Sequence, residues 1–122
     1  MKESNRQQTA LTVAAVAGAL GVVAGALGAH TLAERLAESG HQQAWETAVL
    51  YQLVHAVALL AWHRRASLVQ VFFWGGGIVC FSGSIYLLAL GGPSFLGPIT
   101  PIGGLLFMAG WLSLLKRPKP SA

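Results

Sequence analysis

Apolar residues run through this chain in four long blocks separated by short polar or basic stretches. A bilayer's hydrocarbon core is about 30 Å thick and a helix rises about 1.5 Å per residue, so about 20 mostly apolar residues make one crossing. Ala10 to Ala29 has that length and carries no charge. Ala44 to Trp62 holds Glu46 near its start and His55 near its middle, and Leu68 to Leu90 is apolar and aromatic with Gly75, Gly76 and Gly77 in a row. The fourth block, residues 99–115, is short for a crossing unless Phe95 to Ile99 also lie at membrane depth. Thr100 followed by Pro101 predicts an N-cap and a first helical position, where proline's missing N–H costs nothing. Pro118 and Pro120 stop the last helix. The pattern predicts an all-α fold: one polytopic membrane domain over residues 1–122, four transmembrane helices in a bundle, and a disordered cytoplasmic tail over 116–122.

Composition supports the same class. Of 122 residues, 54% are hydrophobic and 10% charged, where a soluble domain carries roughly 25%. So few charges cannot coat a soluble globule. A disordered chain is excluded by the apolar content, and a disulfide scaffold by the single cysteine, Cys80. The formal charge is +4, yet no charge occurs between Ala66 and Leu115, so the basic residues are not spread over a face that could grip nucleic acid.

Where the charges do lie decides orientation, because cytoplasmic flanks retain Lys and Arg during insertion. Lys2, Arg6, Arg64, Arg65, Lys116, Arg117 and Lys119 flank one side, against Arg35 alone on the other. Both termini are therefore expected in the cytoplasm, with residues 31–43 and 91–98 opposite. A basic start before an apolar run also describes a cleaved signal peptide, but a signal's apolar region is about 7 to 15 residues and this one is longer.

The first connection predicts a short amphipathic helix on the outer membrane surface. Thr31-Leu32-Ala33-Glu34 reads as a capping box, Leu32 and Leu36 share a face, and Gly40 is placed to end the helix. An ordinary exposed helix without lipid contact accounts for the same residues.

Lipid tails are as apolar as leucine, so helices associate in a membrane through small residues and polar contacts. Ala17, Gly21, Gly25 and Ala29 recur every four residues in the first span, with Gly18 and Gly28 flanking them. Gly76, Cys80 and Ser84 repeat the spacing in the third span beside Gly83, and Gly103 and Gly110 stand a heptad apart in the fourth. Packing within one bundle is the plainer use of these positions; self-association through Gly21 and Gly25 is the other.

Ionisable and polar residues at membrane depth are candidates for function. His55 lies about 16 Å in from the outer end of its span, near the midplane. Tyr51 and Gln52 precede it, Ser82, Ser84 and Tyr86 occupy the outer half of the third span, and Thr100 opens the fourth, so polar groups converge in the outer half. At 100° per residue Gln52 and His55 can share a face, whereas Glu46 points almost opposite His55. The expected pairs are Glu46 with His30 at the outer interface and His55 with a serine of the third span. A neutral hydrogen-bonded histidine and a helix-capping carboxylate are the bland alternatives. No metal site is expected, since His30, His41, His55 and His63 lack ligand spacing, and no catalytic motif or cofactor loop is present in the sequence. Trp45, Trp62, Trp74 and Trp111 read as interface and packing residues.

These landmarks resemble a family: domain of unknown function 423, the YgdD-like small bacterial inner-membrane proteins with eukaryotic transmembrane relatives. The matching stretches are Gly25-Ala26-Leu27-Gly28-Ala29-His30, Glu46-Thr47-Ala48 with Tyr51-Gln52 and His55-Ala56, Phe81-Ser82-Gly83-Ser84-Ile85-Tyr86, and Thr100-Pro101-Ile102-Gly103-Gly104 with Gly110-Trp111. They cover all four spans in order. The resemblance implies a multi-pass membrane protein and brings no activity with it. An aromatic usually stands where this chain has Leu27, and glycine where it has Thr31.

Three functions compete on this reading. The first is a non-catalytic bundle that binds a lipid, a membrane-protein partner or a second copy of itself, with no cofactor. The second is a small transporter or ion or proton conduit using His55, Gln52 and the serines, although the inner half holds little polar beyond Gln70. The third, a haem- or quinone-binding subunit, needs axial ligands that the histidine spacing does not offer.

Overall fold

The computed structural model describes residues 3–116 and is helical throughout its ordered elements, with no strand among the described residues. In chain order the elements are α1 (Glu3–Ala29), α2 (Ala33–Ser39), α3 (Gln42–Trp62), α4 (Leu68–Gly77), a π-helical segment (Ile78–Gly83), α5 (Ser84–Ala89), a 3₁₀ turn (Ser94–Leu96) and α6 (Ile99–Ser113). Four apolar helical stretches are long enough to cross a membrane: Glu3–Ala29, Gln42–Trp62, Leu68–Ala89 and Ser94–Ser113. The sequence-predicted tail lies outside the described residues beyond Lys116.

Two boundaries move outward from expectation. Helix α1 starts at Glu3, seven residues before the charge-free run: Glu3, Arg6, Gln7 and Gln8 are good helix formers, and the Thr9 and Thr12 hydroxyls, which could compete with the helix, donate to the carbonyls of Asn5 and Gln8 within it. Its 27 residues reach about 40 Å, so its basic end extends past a hydrocarbon core of about 30 Å. The fourth span gains its missing length from the 3₁₀ turn, which brings Ser94–Leu96 into the crossing. Thr100 is not the N-cap: α6 begins at Ile99 after Pro98, and no side chain caps it. Pro101 still falls in the first turn, where N–H groups have no intrahelical acceptor.

The capping box is likewise corrected. Leu32 occupies the N-cap of α2 with no side-chain hydrogen bond, because the turn after α1 closes through the backbone, Leu32 N–H donating to Leu27 O at 2.8 Å. The C-terminal end behaves as expected. Gly40 takes φ 77°, which an L side chain resists, and His41 N–H donates to Leu36 O in a Schellman closure. Leu36 is fully buried against Ala24, Trp45 and Ala89, and Arg35 Nη2 donates to Leu90 O at 2.9 Å. Helix α2 therefore plugs the end of the bundle opposite Glu3 with its apolar edge and leaves Glu34 and Glu38 exposed.

Helix α3 is the central rod. Its buried positions, Trp45, Ala48, Gln52, His55, Ala56 and Leu59, follow three-and-four spacing and carry polar groups inward, while Leu50, Val54, Val57 and Leu60 face out. Helix α1 lies along α3 by close approach: side chains of Leu53 and Trp45 occupy the space that a Cβ on Gly21 or Gly28 would need, at 2.6 and 2.5 Å. Gly25 faces Val49 more loosely, at 3.4 Å, and Gly18 does not take part, since a Cβ there would meet nothing within 4 Å. Between the third and fourth spans the contact is tighter. Gly103 leaves room for Phe81, whose Cα would be 2.7 Å from an added Cβ, Gly77 for Phe107 and Gly110 for Trp74. The predicted Gly76 sits beside Leu106 at ordinary distance, and Gly83 meets only its own helix's Ile78 carbonyl. The π segment, following three glycines, is why the four-residue spacing through Gly76, Cys80 and Ser84 does not form one continuous stripe: its wider turn changes the phase before Ser84.

Candidate functional site

The polar side chains of the membrane interior form a ladder of hydrogen bonds between spans. At the α2 end Trp45 Nε1–H donates to Ala24 O at 2.8 Å, tying α3 to α1 beneath the plug formed by α2. One level in, Gln52 joins three helices: its Nε2–H donates to Ala17 O of α1 at 2.8 Å, and its Oε1 accepts the Tyr86 hydroxyl of α5 at 2.7 Å. Ser82 is fully buried and donates to Ala48 O at 2.7 Å. Ser84 donates to Phe81 O at 3.0 Å, which uses its one hydrogen, so in the 2.5 Å contact with Thr100 the threonine hydroxyl donates. This is the role Thr100 has in place of capping.

His55 is buried and sits apart from the serines. Its Nδ1 lies 2.6 Å from Tyr51 O, and its Nε2 lies 2.9 Å from Trp111 Nε1 of α6. A carbonyl only accepts and an indole N–H only donates, so the ring carries its proton on Nδ1 and offers a bare Nε2 to Trp111. Both nitrogens are then engaged by a neutral ring. Phe107 stacks on it at 3.7 Å between centroids, with Trp74 edge-on at 6.3 Å. The expected serine partner is replaced by Trp111 because the serines face α3 nearer its N-terminal end, at Ala48, or α6 at Thr100.

The remaining candidates separate. Glu46 is exposed and accepts from Gln42 of its own helix at 3.0 Å, rather than pairing with His30, which is exposed at the end of α1. Tyr51 is 41% exposed and stacks on Phe81 at 4.9 Å, facing outward beside His55 instead of joining the ladder through its hydroxyl. Of the eight sequence candidates, Gln52, His55, Ser82, Ser84 and Thr100 hydrogen-bond across helices, Tyr51 only stacks across them, and His30 and Glu46 do neither. Among the described residues no three His, Cys, Asp or Glu side chains gather.

Several of the stretches quoted above hold residues of this ladder: Gln52 and His55, Ser82, Ser84 and Tyr86, Thr100 and Trp111. A family model described as "Protein of unknown function (DUF423)" matches residues 24–104. The chain belongs to the DUF423 family. A UPF0382 membrane protein of Staphylococcus haemolyticus is 43% identical over 102 residues, covering 79% of this chain and 83% of its own. The UPF0382 inner membrane protein YgdD of Escherichia coli K12 is 37% identical over 115 residues, covering 86% and 85%. A Staphylococcus aureus relative is 39% identical over 102 residues. No solved structure matches the chain. This DUF423 protein is thus a multi-pass membrane protein, and its relatives are named as membrane and inner-membrane proteins.

Three aromatic members of the site make bonds between spans that the sequence reading does not assign to them. Trp45 and Trp111 read as interface residues, and Tyr86 as one polar group among several, yet each donates a bond that fixes a neighbouring span. A usable signal exists in the register. His55 lies thirteen residues from the start of α3 and Trp111 twelve from the start of α6, both roughly 18 to 20 Å deep, where a donor-only indole and an imidazole can meet.

Proposed function

We propose that this chain is a non-catalytic four-span module that binds a constituent of its own membrane. The observation that carries the reading is the closure of the interior ladder: His55 has both ring nitrogens engaged, Gln52 both amide ends and Ser84 its one hydrogen. Such groups hold helices together, each bond between spans contributing about 0.6 kcal/mol on average. A relay or cofactor ligand needs a free lone pair or proton, and His55 offers neither. The open concavities lie on the outside instead. One, of about 530 Å³, is an apolar groove between α1 and α3 walled by Leu11, Ala15, Gly18, Leu53 and Val57.

Both termini are placed in the cytoplasm on the same reading. Arg6, Arg64, Arg65 and Lys116 gather at one end of the bundle, and Arg35 lies at the other. Reporters fused at the C-terminus and inserted after Gly40 should report from opposite sides; signals from one side overturn this orientation.

Extraction with native lipid, followed by mass spectrometry under non-denaturing conditions, tests the function. The expected result is a lipid or membrane protein retained in stoichiometric amount. Protein that carries only the bulk lipid mixture, or reconstituted vesicles with protein-dependent proton or ion flux abolished by His55→Phe, overturns the reading.

A further inference from the structure

We infer that the basic end of the bundle is a binding site for the phosphate headgroup of an acidic phospholipid. This deepens the binding reading above and rests on it. Two adjoining hollows, of about 400 and 370 Å³, open where all four spans end together, and they share Arg65 and Ser67 as a common wall. The first also has Arg6 and Arg64; the second has Lys116. Three separate connections of the chain thus bring four cations to one place.

Little at that end answers these charges. Glu3 is the single carboxylate lining the hollows and already accepts from Gln7, at 3.5 Å, while Glu34, Glu38 and Glu46 belong to α2 and the outer end of α3. Arg6 Nε is withdrawn from solvent and has no hydrogen-bond partner, an unmet donor beside the first hollow. A buried donor left unpaired is destabilising, and a phosphate oxygen would relieve it with a charge-assisted bond. Ser67 adds a hydroxyl whose oxygen already accepts the Gln70 N–H at 3.3 Å, so its hydrogen is available to an anion.

The walls decide between a lipid and a phosphate from solution. In the second hollow Trp62, Val69 and Leu114 stand beside Arg65 and Lys116, and the Arg65 guanidinium lies 5.7 Å from the Trp62 ring centroid. A cationic rim over an apolar wall suits an amphiphile, whose phosphate meets the arginines while its glycerol and upper chain lie against the aromatic and aliphatic side. A free phosphate gains nothing from Trp62 or Leu114. Two hollows on one shared arginine further favour a lipid with two phosphates, so diphosphatidylglycerol should bind more tightly than phosphatidylglycerol.

The test uses the full chain in a neutral detergent, titrated with diphosphatidylglycerol, phosphatidylglycerol, phosphatidylcholine or inorganic phosphate, with bound lipid counted by native mass spectrometry and thermal stability followed in parallel. Acidic lipids should remain bound and raise the melting temperature, phosphatidylcholine should bind at least tenfold more weakly, and phosphate at millimolar concentration should change neither. Arg65→Gln and Arg6→Gln should each weaken retention of acidic lipid about tenfold, while Arg35→Gln, at the opposite end, should leave it unchanged. Arg65→Lys keeps the charge without the fork, guards against misfolding as the cause, and should recover part of the loss. Equal binding of phosphatidylcholine, variants that hold acidic lipid as wild type does, or stabilisation by phosphate alone overturns the headgroup site. If the variants keep their lipid, the bundle still binds a membrane constituent and only this location fails; if the wild type retains nothing, the binding function fails with it.

Discussion

The indole N–H of Trp111 donates to Nε2 of His55 across 2.9 Å, joining the fourth span to the second. Trp111 is 44% exposed, so its replacement by Phe removes the bond with little change in buried area. Trp111→Phe should destabilise the protein by about 1 kcal/mol, because the imidazole keeps its place with one nitrogen unpaired. Thermal unfolding in detergent reads the loss. A double-mutant cycle with His55→Phe should return a coupling of about 0.6 to 1.7 kcal/mol. Nitrogen-15 spectra of the ring should show a protonated Nδ1 and a bare Nε2, and the reverse tautomer would contradict the assignment.

Gln52 should show non-additive behaviour with Tyr86. Tyr86→Phe leaves Gln52 Oε1 without its donor, and Gln52→Leu leaves the Tyr86 hydroxyl unmet while also releasing Ala17 O. Each single change should cost about 1 to 3 kcal/mol. The double variant should cost less than their sum, since neither partner is then stranded. Additive losses would mean that the two side chains do not depend on each other.

Helix α2 should act as a removable plug. Leu36 is 0% exposed, and its truncation to Ala is expected to cost about 2 to 5 kcal/mol if the site cannot collapse. The effect should be local: hydrogen exchange should accelerate over Ala33–Ser39 and the first turn of α3 before the far end of the bundle responds. Uniform acceleration would show that α2 unfolds only with the whole bundle.

The four crossings were legible in the sequence because each is a block of apolar residues long enough for lipid, a property that needs no knowledge of neighbours. Gly40 was legible for a similar reason, since a helix end with φ 77° selects glycine locally. Pairings were harder. Depth pairs His55 with a serine, whereas its partner depends on how α3 is rotated and on Phe107 stacking beside it. Ideal helical phase selects Gly76 over Gly77, but the segment from Ile78 to Gly83 is π-helical and breaks that phase. The capping box failed because the turn after α1 closes through backbone, Leu32 N–H donating to Leu27 O and Ala33 N–H to His30 O, which puts Leu32 rather than Thr31 at the N-cap.

The glycines allow the strictest test, because what each one faces is different. At Gly103 an added Cβ would press on backbone, 2.7 Å from Phe81 Cα, and backbone cannot rotate away. Gly103→Ala must therefore separate α6 from the π segment, at an expected cost of about 1 to 3 kcal/mol. At Gly21 the obstacle is Leu53 Cδ2, the far end of a side chain that can change rotamer, so Gly21→Ala should cost less. At Gly18 nothing lies within 4 Å, and alanine's better helix propensity, worth about 1 kcal/mol in water, meets no opposing contact. The expected order of stability is Gly18→Ala at or above wild type, then Gly21→Ala, then Gly103→Ala. Melting temperatures of the three purified variants check it, and a Gly18→Ala protein as damaged as Gly103→Ala would show that the open face of α1 is covered by something in the membrane.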